Sequence, residues 1–565
     1  MEQGAAIRRP GRSHHFGLAL LALWAAALVL HLTGLASEPL RDWDEAIVAR
    51  VALELSQRQG LDQLLPTFWG EPYLNKPPGL HVLIAGAIHL WRHLGDAPAA
   101  ARPPAWLVRL PPALIASVLP PLLALVQRRL RPTRPDGALA TGAISLSLLP
   151  LVRHGHLAML DGSQLVAMVL VWLGLLAAGG GRHSSLAGGL LAGAATGGLL
   201  LLKAPVALPV LAGAVLLRAL DGELRGPDWR ALVLGLALGL LPGLGWHGLH
   251  GLVRGPAALH MWTGQGLARV TSSLEEHQGG PLPPLVQVLT GGWPWLPLWP
   301  VGLAMAWRRR QWRDGRWALG LTLLASGLVL PLQTQLPWYS LLLWPPFALV
   351  GGPVLADLVA NHLPRRLARG LGGGWALLGG LLLLAVLISR LPGLPGDIGT
   401  AAPLALPAGA GLMLGGGLLA AGPGLARRWR QRGVLLLLLG WCGSLLLLFA
   451  SPLWHWELNE QPLIAPLLPL VEQTPASGGP LLVSEGMERR ISLAWSAGRP
   501  LRSWPPAAGQ ALPPGFALVA RADGIGAGAL PLPSPPALVS CKIQQPPARA
   551  GAWAWWWCDS ARSTK

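Results

Sequence analysis

Long apolar runs, separated by short arginine clusters and polar loops, dominate the first 450 residues. The runs at 16–35, 107–127, 136–151, 162–179, 186–202, 204–219, 230–247, 287–306, 316–333, 338–359, 372–390, 402–424 and 433–450 approach the length a helix needs to cross a bilayer core. They predict thirteen spans. The clusters "IRRPGR", "QRRLRPTR", "WRRRQWRDGR", "LPRRLARG" and "ARRWRQRG" mark cytoplasmic loops by the positive-inside rule, and Arg8, Arg9 and Arg12 put the N-terminus on that side. A further run at 79–94, "GLHVLIAGAIHLWRHL", would invert every later loop if it crossed; its short length, its histidines and Arg92 predict a helix lying at the outer interface. The first run is read as a span and not a cleaved signal peptide, being long and lacking a small-x-small site before the acids that follow.

After residue 450 the pattern changes. Short apolar stretches such as "PLLVSEG" and "GFALVARA", broken by Pro and Gly, predict strands and turns. With thirteen spans this segment is extracytoplasmic. The expected fold is an all-α polytopic membrane domain over 1–450, with interfacial helices in its first outer loop, plus a small extracytoplasmic α/β domain over 451–565. Cys541 and Cys558 fall in the outer segment, where either a disulfide or two thiols are open readings. Cys442, inside the last run, is a small apolar residue of the membrane part.

Composition agrees with the pattern. Hydrophobic residues make up 52% of the 565 and charged residues 12%, which excludes a soluble globule. The net charge of +18 does not signal nucleic acid, because the arginines are spread over many loops. Lysine is scarce: only Lys76, Lys203, Lys542 and Lys565 occur among 44 basic residues. Lys76 in "NKPP" and Lys203 in "LLKAP" sit at membrane depth or its outer edge, where an ammonium either snorkels to water or faces a cavity holding an anion.

Other polar residues fall on the same outer side. "RDWDEAIVARVALELSQRQG" at 41–60 carries Asp42, Asp44 and Glu45, and from Asp44 the residues Val48, Val51, Ala52 and Leu55 form one apolar stripe. Arg153 and Asp161 flank the turn in "LVRHGHLAMLDGSQL", Arg269 precedes "EEHQ" at 275–278, and Tyr339 closes "QLPWY". Acids and bases from several loops on one face point to a cavity that binds a phosphate with a carboxylate beside it. There is no internal repeat, phosphate-binding glycine loop or zinc-type Cys/His spacing, and the many glycines fit close helix packing in lipid.

In order, Asp44-Glu45, Lys76-Pro77-Pro78, "VRLPPAL" at 108–114, Arg153 through Asp161, "KAP" at 203–205, "GGWPW" at 291–295 and "LPWY" at 336–339 resemble the superfamily of aminoarabinose transferases and protein mannosyltransferases. The resemblance covers about 16–450 and implies a GT-C fold and sugar transfer from a polyprenyl phosphate at the outer face of a bacterial inner membrane, with the C-terminal domain in the periplasm. The acceptor it implies is an envelope lipid, glycan or protein. In the aminoarabinose branch this means transfer to a lipid A-like molecule. The chain departs from that branch at Asn75 and Arg50, where Glu is usual, and at Gln335, where Lys is usual, all around the donor pocket.

The chemistry assigns roles. Departure of a polyprenyl phosphate leaves extra negative charge, which cations stabilise more in the transition state than in the ground state. Lys76, Arg153, Lys203 and Arg269, with Tyr339, are the candidates to bind the donor phosphate; Asp44, Glu45 and Asp161 are the candidate catalytic carboxylates, with Asp44 first. A hydroxyl acceptor needs a general base, whereas a phosphate acceptor needs only orientation. No nucleotide or metal is required, since the energy lies in the phosphodiester, although Asp44 and Glu45 could hold a divalent cation. Asp42 lies outside the matching motif and is expected to be dispensable. A transporter or flippase of lipid-linked sugar, and a polysaccharide polymerase or ligase, stay open as alternative functions.

Overall fold

A computed structural model describes residues 10–96, 98, 101–272, 280–391, 399, 401–454, 481–484, 490–504, 516–521, 539–544 and 553–560. The expected site segment "EEHQ" at 275–278, together with Arg8, Arg9 and Lys565, lies outside them. The chain forms two compact units, one of residues 1–37, 73–83 and 109–454, the other of 38–72, 84–108 and 455–565.

The first unit is helical. Among the described residues nine helices are long and apolar enough to cross a membrane, or ten if the pair α6 (Pro135–Ser147) and α7 (Leu149–His156), bent by 58°, is one span. The first is α1 (Pro10–Leu32), and α4 (Ala105–Ser117) and α5 (Leu119–Leu130) precede α6. Three local features separate this count from the expected thirteen. The run 287–306 breaks into Leu282–Gly291 and Leu298–Arg308 around "GGWPW", and 316–333 yields the 17-residue helix Arg313–Val329. The runs 186–202 and 204–219 join as α9 (Arg182–Leu220), interrupted at Lys203, whose backbone (φ −148, ψ 80) is not helical.

Packing shows what that interruption does. In α9 and α10 (Gly226–Arg254), Gly189 abuts Leu232, Gly193 abuts Leu236 and Gly243 abuts Gly197, each close enough that a methyl group on the first-named glycine would collide with backbone. The contacts advance in the same sense along both helices, so the first leg of α9 runs parallel to α10. A parallel neighbour reached through residues 221–225 needs a return leg. Residues 204–220 supply it, and Gly213 and Gly320 seat that leg against Leu324 and Leu217 of the Arg313–Val329 helix and the leg itself. Lys203 therefore stands at a reversal between two helical legs, with Pro205 just beyond it removing a donor that a continuous helix would use.

The chain just after α1 is tied down by buried Arg109, which donates to the Leu35 carbonyl at 2.9 Å, and by the Trp454 indole, which donates to Ser37 Oγ at 3.0 Å.

The second unit contains α2 (Asp44–Leu55), a short hairpin of β1 (Thr67–Phe68) and β2 (Glu71–Pro72), and most of α3 (Gly79–Gly95). At 17 residues α3 is shorter than the spans. The C-terminal segment adds the helix Ile491–Ala497 and strands β3 (Leu481–Ser484), β4 (Leu501–Trp504), β5 (Phe516–Arg521), β6 (Val539–Gln544) and β7 (Trp553–Ser560). They form one mixed sheet in the order β4-β3-β5-β7-β6, parallel among β4, β3 and β5 and antiparallel beyond.

Candidate active site

In the first unit the site is organised by Lys203. The break in α9 directs its ammonium to Asp161 Oδ1 at 3.0 Å, in the first turn of α8 (Leu160–Ala177). The same nitrogen lies 4.7 Å from the centre of the Tyr339 ring, a cation–π contact. Tyr339 sits in the turn Pro337–Leu343. Buried Arg269 joins this group: its backbone carbonyl accepts from the Gln333 and Thr334 amides at 3.0 and 3.1 Å, fastening the Arg269 turn to the strand of chain that leads to Tyr339. The charges of Asp161 and Arg269 both act on the Lys203 ammonium, with opposite sign. Gly266 backs onto the Pro205 ring, so the Arg269 turn also rests on the second leg of α9. Residues from four separate places in the sequence thus meet.

The motif "YLNKPPGLH" abuts the same place. A Cβ at Gly79 would fall 2.6 Å from the Leu201 carbonyl oxygen, so only glycine permits this approach three residues after Lys76 and two before Lys203. Buried Tyr73 packs edge-on against His81, with ring centres 5.7 Å apart. The His81 ring bonds the Pro77 carbonyl at 3.2 Å, which fixes the first turn of α3 behind the two prolines. Burial lowers the His81 pKa to about 4, and the Lys76 charge pushes the same way, so the ring is neutral at neutral pH. Arg153 is buried in α7, whose end packs on the start of α8 where Gly162 approaches the His154 carbonyl.

The other carboxylates belong to the second unit. Asp44 is the first residue of α2 and half-buried; Glu45 is fully buried and accepts from the Arg41 amide at 3.2 Å. The stripe Val48, Val51, Ala52 and Leu55 is buried, as its spacing predicts. Arg50 bonds Glu54 at 2.7 Å and stacks 3.6 Å over the Trp69 ring, while Glu54 also accepts from Thr67 and Gly70. The departure at position 50 thus serves to hold the β1–β2 hairpin on α2. Gln335 likewise turns inward, its amide donating to the Val329 carbonyl at 2.7 Å.

Asp42, expected to be dispensable because it lies outside the matching motif, sits in a built environment. Its carboxylate is buried and accepts from the Ser492 amide at 2.8 Å, from the Ser492 hydroxyl, and from Arg490 Nη1 at 3.2 Å. Sequence spacing had no means of finding partners some 450 residues away.

No protein-family profile matches the chain, and no curated protein sequence does. Among solved structures the chain is similar to ArnT from Cupriavidus metallidurans bound to undecaprenyl phosphate, with TM-score 0.69 and 19% identity over 98% of this chain and 99% of that one. It is similar as well to the apo state of the same protein, with TM-score 0.67 and 19% identity over 97% and 98% of the two chains. At this identity the likeness shows a shared fold. The chain has the GT-C membrane fold of an aminoarabinose transferase.

Proposed function

We propose that this chain is an integral-membrane glycosyltransferase that moves a sugar from a polyprenyl-phosphate donor to an envelope lipid, glycan or protein at the outer face of a bacterial inner membrane. The observation that supports this reading is the grouping of Lys203, Asp161, Tyr339 and Arg269 at the reversal of α9, in a fold whose solved counterpart carries undecaprenyl phosphate. A cation held in place beside a carboxylate and a phenol suits a phosphate that gains charge as it departs.

In the proposed reaction an acceptor oxygen attacks the anomeric carbon, the bond from that carbon to the phosphate oxygen breaks, and polyprenyl phosphate leaves. Lys203 and Arg269, with Lys76 and Arg153, meet the charge that develops on the leaving oxygen, where preorganised cations act most strongly. Asp161 is occupied by Lys203, so its role is to aim the ammonium. Tyr339 holds the ammonium from the other side and offers its hydroxyl to the phosphate. Asp44 takes the proton from a hydroxyl acceptor, or orients a phosphate acceptor that has none to give, and Glu45 fixes the start of α2 beneath it. Transfer of an aminoarabinose-type sugar to a lipid A-like acceptor is the specific form of the proposal. Neither nucleotide nor metal enters the reaction.

The test is to incubate purified wild-type protein in lipid with a panel of polyprenyl-phosphate sugars and envelope acceptors, and to follow release of polyprenyl phosphate. Release that depends on the acceptor supports transfer. Movement of intact donor between leaflets without release would support a flippase instead.

A further inference from the structure

Asp42 is a buried charged group that the proposed chemistry leaves unused. Its two oxygens take three donors from one short stretch, Arg490 and Ser492, at the beginning of the helix Ile491–Ala497. The Ser492 amide is one of those that a helix cannot satisfy within itself, so Asp42 caps this helix from a remote part of the sequence. Arg102 performs the matching service at the other end, donating to the Trp495 carbonyl at 2.8 Å and to the Ser496 carbonyl. All of these residues belong to the second unit. A helix too short to stand alone is therefore held at both ends by the outer loop, and it holds the loop in return.

What the loop needs holding for follows immediately after Asp42. Trp43 has φ 57 and ψ −86, close to the rare positive-φ γ-turn, and an indole-bearing residue adopts it only under constraint. Such a backbone is strained and persists only where its surroundings over-determine it. They do so here from both sides. Ahead of Trp43, Asp42 is fixed on Ser492 and Arg490. Behind it, the Ala46 amide donates to the Arg41 carbonyl at 2.9 Å, the Ile47 amide to the Trp43 carbonyl at 3.0 Å, and Glu45 accepts from the Arg41 amide. Asp44 lies between these anchors, at the turn they impose.

We propose that Asp42 is a positioning residue, whose clamp on Arg490 and Ser492 holds the strained Trp43 turn and so sets the direction of Asp44. The proposal rests on the reading of Asp44 as the group that acts on the acceptor. It makes the 490–497 segment a working part of the transferase.

The test uses full-length protein in lipid and two independent readouts. Backbone hydrogen exchange in Asp42→Ala should rise at residues 44–47 while the membrane helices keep wild-type protection. Turnover should fall by roughly 10- to 100-fold at unchanged donor KM, the size expected when an acting group is slightly misplaced. Adding Trp43→Gly to Asp42→Ala should restore much of that turnover, since glycine takes positive φ without strain. A merely structural Asp42 would not be rescued this way. Ser492→Ala removes one side-chain donor and should change exchange and turnover in the same direction by less. Unchanged exchange at 44–47 in Asp42→Ala, or a turnover loss that Trp43→Gly leaves untouched, would overturn the proposal. If the wild-type chain transfers no sugar, the reading of Asp44 falls, and the exchange measurement still decides whether the clamp holds the turn.

Discussion

Lys203 and Asp161 meet at 3.0 Å between the reversal of α9 and the first turn of α8, with Tyr339 stacked on the same ammonium. The two side chains are 20% and 10% exposed, so the pair is shielded on most sides but still reaches open space. That is the state a cation needs if it is to be both held in place and available to an anion. Removing either partner should leave a poorly solvated charge behind, and removing both should not.

This gives a double-mutant prediction. Lys203→Met and Asp161→Asn should each lower thermal stability, and the combined variant should recover most of the loss. Activity should follow a different course: Lys203→Met lowers turnover by roughly 100-fold or more, and Asp161→Asn does not restore it, because the cation at the leaving phosphate is gone. Activity that returns together with stability in the double variant would make the pair structural.

Gly79 provides a steric test of how the two lysine motifs are joined. Alanine at this position places a methyl group 2.6 Å from the Leu201 carbonyl oxygen, backbone that cannot swing away. Gly79→Ala should cost about 1–3 kcal/mol of stability, as overpacking does, and should weaken donor binding by shifting "NKPP" relative to Lys203. Thermal unfolding and donor KM measure the two effects. A variant with wild-type values of both would show that the motifs do not depend on this approach.

Cys541 and Cys558 are directly opposed in the antiparallel register of β6 and β7. Opposed residues in such a ladder have Cα atoms about 4.5–5.5 Å apart, within the range a disulfide spans. Mass spectrometry of non-reduced protein should find the two linked. Alkylation of both as thiols in native membranes would contradict the pairing.

How much of this was legible in the sequence depended on distance along the chain. The helix α2 could be read from Asp44, Val48, Val51, Ala52 and Leu55, because helical periodicity is a local property. Lys203 stood out because lysine is scarce and "LLKAP" places it before a proline, yet nothing local tells whether such a break kinks a span or reverses it. The parallel run of Gly189, Gly193 and Gly197 beside α10 decides that, and it is a tertiary fact. Asp42 was illegible for the same reason. Two residues from Asp44 it looks like one more loop acid, and only the return of Arg490 and Ser492 makes it a buried anchor. Arg50 and Gln335 show as departures in a motif, but their bonds to Glu54 and to the Val329 carbonyl explain what they do in this chain.

In the proposed reaction the chain breaks the bond between a sugar and a polyprenyl phosphate, with Asp44 acting on the acceptor. This reaction is tested most directly by counting polyprenyl phosphate released per enzyme from a radiolabelled lipid-linked sugar, with wild type and Asp44→Asn compared as folded proteins in lipid. Wild type should release it only when acceptor is present, and should do so in excess EDTA, because the leaving charge is met by lysine and arginine side chains. With a hydroxyl acceptor, Asp44→Asn should lower that rate by roughly 100-fold to 10,000-fold, the loss expected for a general base, at unchanged folding. Equal release by the two proteins would remove Asp44 from the mechanism, and no release by wild type from any such donor would contradict the account as a whole.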